Sequence, residues 1–443
     1  MAGLKKPACT WYALISSLGR GPATLDQSVR ESSTKTNARP GSMQFRGLVL
    51  ACALLISDPY PQAHVQKPVR QVTVPMSVEG DVPIVTLTFR KPDGGLRTAR
   101  FIFDSGGGAI IFDQSLAADI GLNRSGAVVS EEGHLYGAVN VPTAFLGEMP
   151  VDLRASKAFV HLGVSSFDDR DSVEGLLPGK ALQRYQVVLD YPRQQLSVGE
   201  PGTLAHSGER FPCPYIASSG HPRIEAAING VTYGFLLDTG TKLTLVRDSL
   251  MAKWSAEHPD WPRSIGAVGP ANVPGAADDA LLLRVAAIRL GPFTAERPVI
   301  VSRSNETYSA TSYETSAVIV GALGGNVLSQ FRVEIDYPEQ LLFLDPVPAG
   351  TERSEFDTVG LVLDINPHGQ LVVKRVSSSA AAVTRNSIFP GDIILQISGV
   401  ATVPRTLTQA SQALSGTVAE RKQLRVLRDG QRRTVTVVVS RIL

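Results

Sequence analysis

One stretch of this chain is written twice. Residues 175–198 (GLLPGKALQRYQVVLDYPRQQLSV) align without a gap on residues 321–344 (GALGGNVLSQFRVEIDYPEQLLFL). Gly175/Gly321, Leu177/Leu323, Gly179/Gly325, Leu182/Leu328, Val187/Val333, Asp190/Asp336, Tyr191/Tyr337, Pro192/Pro338, Gln194/Gln340 and Leu196/Leu342 are identical. Upstream, FIFDSGGGAIIFDQSLA at 101–117 corresponds to FLLDTGTKLTLVRDSLM at 235–251, and the matched segments come in the same order in both halves. Self-similarity at fixed spacing marks a unit built more than once. The chain is therefore expected to form two homologous lobes, 70–200 and 207–347.

Each lobe reads as all-β. Ile84–Arg90, Ala99–Phe103, Val187–Asp190, Gly234–Leu237 and Val333–Ile335 are short runs rich in β-branched, aromatic or Leu residues, bounded by Gly, Pro or Asn. Helical signal is confined to short pieces after each Asp triplet, near 113–120 and 247–254. Each Asp-Tyr-Pro ends a strand in a turn, because proline supplies no N–H to continue the ladder. Beyond Pro346 the composition turns polar as far as Phe356, and residues 356–443 read as a separate small module.

The chemistry points to Asp104-Ser105-Gly106 and Asp238-Thr239-Gly240, each entered through three apolar residues. Two carboxylates brought together across a pseudo-twofold axis cannot both ionise cheaply, so they share one proton and titrate as a coupled pair. One then serves as base toward a water while the other, as acid, protonates a scissile carbonyl. Gly106 and Gly240 let the backbone turn beneath each carboxylate, and the hydroxyls of Ser105 and Thr239 can tie the loops together.

Composition narrows the partners. Across 443 residues the formal charge is +2, which gives no general attraction to nucleic acid or to an anionic membrane. The basic stretch Arg421, Lys422, Arg425, Arg428, Arg432 and Arg433 is interleaved with Leu and Val and reads as a solvated strand face. Cys9 and Cys52 fall in the leader region, leaving Cys213, so disulfides are not expected to hold the fold. Residues 1–64 read as a leader: Met43 is a plausible start, Arg46 supplies a positive region, and Gly47–Ser57 is an apolar run too short for a permanent transmembrane helix. A periplasmic or secreted location is expected. Lipid anchoring through Cys52 is disfavoured by the short apolar stretch before it.

At its Asp triplets the chain resembles the aspartic protease superfamily, specifically the retroviral-type half-lobe duplicated in one polypeptide, as in pepsin-like and bacterial aspartyl proteases. The resemblance implies a mainly β fold of two acid-protease barrel lobes acting on polypeptide substrates, without metal or organic cofactor. It implies Asp104 and Asp238 as the catalytic dyad, Ser105 and Thr239 as bracing hydroxyls, and Gly106 and Gly240 as loop support. It also implies that Gly175 with Leu176 and Leu177, and Gly321 with Val320, pack beneath the loops. One departure is Gly107, where the family more often has Ala, Ser or Thr, which implies a looser first loop. Gly126–Leu146 is the candidate flap; Tyr136 is either a flap tyrosine or an ordinary core or surface one.

Residues 356–443 resemble a PDZ domain of the bacterial periplasmic protease type, through Gly360-Leu361-Val362-Leu363, the run at 371–383, Phe389-Pro390-Gly391-Asp392 with its following apolar strand, and a closing hairpin. That resemblance implies an extended C-terminal peptide added as a strand, its carboxylate received by the Gly360–Leu363 loop. The family's usual Ser-Pro-Ala and Ala-Gly-Leu steps appear here as Ser379-Ala380-Ala381 and Asn386-Ser387-Ile388. A β-rich cap that merely packs on the lobes is the other reading.

Three other readings compete with this one. Asp104-Ser105-Gly106-Gly107 is also similar to the nucleophile loop of trypsin-like serine proteases, but only His64 precedes Ser105 and Phe103 replaces the expected Gly, so the triad lacks its partners. The seven histidines (64, 134, 161, 206, 221, 258 and 368) show no metal-ligand spacing and read as surface or loop residues. A catalytically silent scaffold that binds peptides remains the alternative; against it stands the cost of burying a second carboxylate beside the first.

Overall fold

Both lobes are built on the same crossed arrangement of strands. The computed structural model describes residues 70–131, 134–162, 173–272, 277–348, 356–366, 368–402 and 406–443. The leader with its signal-peptide reading, including Met43, Cys9 and Cys52, and most of the polar link at 349–355 lie outside the described residues. In the first lobe Val82–Arg90 and Leu96–Asp104 form a hairpin, with Ile84 opposite Ile102. Val173–Pro178 then runs parallel to Leu96–Asp104 and antiparallel to Ala109–Phe112, which is itself parallel to Lys157–His161.

The second lobe repeats this order strand for strand. Arg223–Ile228 pairs with Val231–Leu237, and Gly321–Leu323 runs parallel to Val231–Leu237 and antiparallel to Thr244–Arg247, which lies parallel to Val299–Arg303. The hairpin Arg124–Glu131/His134–Val139 has its counterpart in Arg263–Ile265/Leu281–Arg284. Such non-consecutive neighbours are specified by apolar patterning on both faces: Phe101 and Phe103 are buried on one face and Ile102 on the other, as are Phe235 and Leu237 on one and Leu236 on the other.

The two lobes join through the strands that carry the duplicated Asp-Tyr-Pro units. Gln186–Asp190 and Phe331–Asp336 pair antiparallel, with Gln186 opposite Asp336 and Asp190 opposite Arg332. At the centre Val188 faces Glu334, the residue that holds the same place in the other repeat. A pseudo-twofold axis therefore passes through this pair. Glu334 is fully buried there and bonded to His206 at 2.5 Å, while His206 stacks on Phe343 with ring centroids 4.3 Å apart.

The helices expected near 113–120 and 247–254 are Gln114–Asp119 and Asp248–Glu257. A further helix, Asn305–Thr315, corrects the expectation that helix is confined to those two places. Its buried face is Thr307, Tyr308, Thr311 and Thr315. Thr311 and Thr315 donate to the carbonyls of Thr307 and Thr311 at 3.0 and 2.8 Å, so a threonine face is buried without unmet hydroxyls. Apolar periodicity could not reveal it.

In the C-terminal module the sheet order is Leu361–Ile365, Leu371–Val376, Ile393–Ile397, Arg421–Arg428 and Gln431–Val438, with helices Ala382–Ser387 and Leu407–Leu414. Asp429 and Gly430, with φ of 51° and 74°, make the tight turn of the closing hairpin. The basic stretch is not uniformly solvated. Arg421, Arg425, Arg432 and Arg433 are exposed, but Lys422 is buried, and Arg428 clamps the buried Asp392 through Nε at 2.6 Å while stacking over Phe389 at 4.5 Å. The Phe389-Pro390-Gly391-Asp392 turn is thus anchored by a basic residue that spacing placed on the outer face. No helix among the described residues is long and apolar enough to cross a membrane.

Candidate active site

The crossed strands deliver Asp104 and Asp238 to the lobe interface. Pro178 pairs with Asp104, Leu323 pairs with Leu237, and the Asp238 N–H donates to the Leu323 carbonyl at 3.1 Å. Gly175 and Gly321 sit against the rings of Phe101 and Phe235: a Cβ there would lie 2.1 and 2.9 Å from the nearest ring carbons. The apolar segments beneath both loops therefore occupy the positions implied by the sequence resemblance.

Ser105 and Thr239 meet between the lobes, both fully buried. The Ser105 N–H donates to Thr239 Oγ1 at 2.9 Å, and the Thr239 N–H donates to Ser105 Oγ at 3.0 Å. Each hydroxyl passes its own proton across the interface, Ser105 Oγ to the Leu237 carbonyl at 2.6 Å and Thr239 Oγ1 to the Phe103 carbonyl at 2.8 Å. Every polar group in this four-bond clasp is satisfied.

Above the clasp, the Asp104 and Asp238 carboxyl groups are 4 % and 0 % exposed and hydrogen-bonded to each other. Burial holds the Asp104 carboxyl well above the usual carboxylate range, the Asp238 charge and the bond between them push it the same way, and the Gly106 and Gly107 N–H groups pull it partly back. Gly240 makes the close approach possible, since a Cβ on it would lie 2.3 Å from Asp104 Cγ.

The two carboxyl groups differ in their local donors. Asp238 receives the N–H of Gly240 at 3.0 Å and of Thr241 at 3.2 Å on Oδ1, and the Thr241 hydroxyl at 2.9 Å on Oδ2. Asp104 receives the Gly106 N–H at 2.9 Å. Gly107, which stands where the second lobe has Thr241, brings no hydroxyl. Nor is the first loop loose, as that glycine implied: a Cβ on Gly107 would lie 2.9 Å from Asp104 Oδ2 and 3.0 Å from Leu176 Cδ2, so the loop is packed tightly over Leu176.

Sequence reasoning missed Thr241 and the two repeat tyrosines as parts of the site. A Cβ on Gly179 would lie 2.1 Å from Tyr337 Oη and 2.9 Å from Ser105 Cα, so the tyrosine of the second repeat reaches beneath the Asp loop of the first. Tyr191, its counterpart, is buried, and the Asp81 and Asp238 charges add to that burial in raising its phenol pKa. The signal was available, because both tyrosines are identical in the repeat. Tyr136 is a core residue: it is buried against His161, ring centroids 5.5 Å apart, while Val128 and Leu135 of the same hairpin are exposed.

His161 and His221 are also buried, which corrects the expectation that the histidines are surface or loop residues. His221 is fully buried with Glu314 3.7 Å away, and burial, then the Lys180 charge, lower its pKa to about 4. Cys213 is free and buried, its thiol pushed up to about 12. Among the described residues no group of three His, Cys, Asp or Glu side chains is placed to hold a metal ion. In the C-terminal module Gly360 has φ +79°, and Leu361, Val362 and Leu363 are buried on the edge strand beside lobe 2.

No family model matches the chain, and no curated protein matches it. Among solved structures it is similar to an aspartic proteinase from Irpex lacteus, at 14% identity and a TM-score of 0.40, covering 63% of this chain and 98% of that one. It is also similar to the PDZ domain of a carboxy-terminal protease from Vibrio cholerae solved with a peptide, at 22% identity and a TM-score of 0.17, covering 19% of this chain and 92% of that one. The fold is mainly β, with two lobes that repeat one strand order and a further β-rich module after them.

Proposed function

We propose that the chain is an aspartic-type endopeptidase, exported to the periplasm or beyond the cell, that hydrolyses peptide bonds with a water activated between Asp104 and Asp238. One observation carries this reading: two buried carboxyl groups from equivalent places in the repeat are hydrogen-bonded to each other above a reciprocal clasp. Burying such a pair costs free energy that a purely structural role does not call for.

The donor asymmetry supports one division of roles. Three local donors favour the ionised form of Asp238, whereas Asp104 is held in its protonated form by burial and by its neighbour's charge. Asp238 takes a proton from the water as its oxygen attacks the scissile carbonyl carbon. Asp104 passes its proton to the carbonyl oxygen, and the tetrahedral diol forms without a bond to the protein. On collapse the proton on Asp238 goes to the amide nitrogen, the C–N bond breaks, and a diol hydroxyl returns a proton to Asp104. No metal or organic cofactor takes part in these steps. The module at 356–443 recruits or gates polypeptide substrates through the strand Leu361–Ile365.

The test is cleavage of a peptide library across pH by protein beginning at residue 65, beside Asp104→Asn and Asp238→Asn. Wild type is expected to cut, and each variant to lose about 10³-fold in rate, within the range of general acid–base catalysis. Wild type that is silent at every pH would make the peptide-binding scaffold the better reading.

A further inference from the structure

The open edge of the C-terminal sheet is already engaged by lobe 2. Leu361–Ile365 is the edge strand of its sheet, and Leu407–Leu414 packs beside it. An edge strand flanked by a helix is a groove for an extended peptide, whose main chain completes the ladder. Here the turn of lobe 2 that follows Arg263–Ile265 crosses that edge. Gly266, at φ +104°, lies so close to Val362 that a Cβ on it would be 2.7 Å from Val362 Cγ2. The short 3₁₀ turn Gly269–Ala271 packs against the helix Leu407–Leu414. Between them, buried Asn272 accepts the outward-facing Leu363 N–H on its side-chain Oδ1 at 2.8 Å.

The bond is one that an incoming peptide carbonyl would make. We propose that Gly266–Asn272 is an internal pseudo-ligand, and that an extended peptide with an apolar C-terminal end and a free carboxylate occupies the groove in competition with it. This inference rests on the peptide-binding reading of the module. Two features make the internal contact displaceable. Asn272 satisfies Leu363, yet its own buried Nδ2 makes no hydrogen bond among the described residues, so the contact is only half matched. It is also a side-chain mimic of a strand, making one ladder bond where a bound peptide would make several.

The contact has a route to the active site. Val362, Phe356, Ile442 and Leu443 of the module share one apolar cluster with Leu236 and Leu243, which flank the Asp238 loop on either side. Displacing Gly266–Asn272 therefore disturbs packing that is continuous with the residues positioning Asp238.

The experiment uses the chain from residue 65 in the Asp104→Asn background, so that the probe is not cut. The probe is a fluorescein-labelled decapeptide ending in Ala-Val-Leu-Val with a free carboxylate, read by fluorescence anisotropy, with its amidated form as the control for carboxylate recognition. Asn272→Ala is expected to tighten binding about tenfold, the worth of one hydrogen bond of ordinary strength. A second variant, Ser264→Cys with Ser377→Cys, joins lobe 2 to the module where the two hydroxyls already touch at 2.9 Å. Oxidised, it is expected to lose binding, and reduction should restore it. Equal binding by the oxidised lock, the reduced lock and Asn272→Ala would overturn the competition and leave peptide binding standing. Absence of binding in every form, including Asn272→Ala, would overturn the peptide-binding reading and the competition with it.

Discussion

Ser105 and Thr239 hold each other's backbone: each N–H is received by the other's hydroxyl, at 2.9 and 3.0 Å, across the interface between the repeats. The relationship is symmetric because the residues occupy equivalent places in a duplication. It is also the point at which the two lobes become one site.

Removing one hydroxyl therefore leaves orphans on both sides. Ser105→Ala strips an acceptor from the Thr239 N–H and a donor from the Leu237 carbonyl. A loss of about 2 kcal/mol is expected in chemical denaturation, the usual cost of a buried unmet donor. Thr239→Val should cost a similar amount, and the double variant distinctly less than the sum, since the four bonds form one network. Additive losses would mean the clasp is not a unit.

In the proposed mechanism Thr241 is expected to set the acid limb of activity. Its hydroxyl donates to Asp238 Oδ2 at 2.9 Å and favours the ionised base. Thr241→Val keeps the shape and removes the donor, so protonation of Asp238 becomes easier. The acid limb of kcat/KM should move to higher pH, with the alkaline limb, set by Asp104, moving less. An unchanged profile would show that the hydroxyl does not tune the base.

Asp104 should destabilise the fold as pH rises. Its pKa in the folded chain lies above the value of an unfolded aspartate, so the native state binds more protons between the two values. Stability from this group consequently falls as pH rises through that window, and the full penalty is present above the raised folded value. Asp104→Asn cannot ionise. Its melting temperature should exceed wild type at neutral pH, and the gap should shrink toward the acid side of the window; a constant gap would contradict the buried-proton reading.

His221 should act in the opposite direction. Its pKa of about 4 in the folded chain lies below the ordinary 6.5, so the unfolded state binds more protons between those values. Stability is lost as pH falls from about 6.5 toward about 4, because acid favours the unfolded, charged imidazole. His221→Gln removes the titration and should flatten that decline in melting temperature. A decline as steep as in wild type would assign the acid sensitivity to other groups.

Much of the architecture was legible without coordinates, for a physical reason. Duplicated Gly, Asp, Tyr and Pro residues report backbone geometry and buried turns directly, since few side chains tolerate those positions. The predicted strands at Ile84–Arg90, Ala99–Phe103 and Val333–Ile335 lie within observed ones, because alternation and β-branched content speak of neighbours along the chain. The helix Asn305–Thr315 carries no apolar period because its buried face is mostly threonine, with Thr311 and Thr315 satisfied by the helix's own carbonyls.

By itself the sequence determined that two similar β lobes exist and that each carries an Asp-Ser/Thr-Gly loop. Tertiary structure decided what those loops do to one another. It set the Val188–Glu334 pairing that defines the axis, the reach of Tyr337 beneath the loop of Ser105, and the unequal donors given to Asp104 and Asp238. It also set Asn272 against Leu363, in a module that sequence pattern marked as separate. These are contacts between segments far apart in the chain, and local pattern holds no record of which distant surface a side chain will meet.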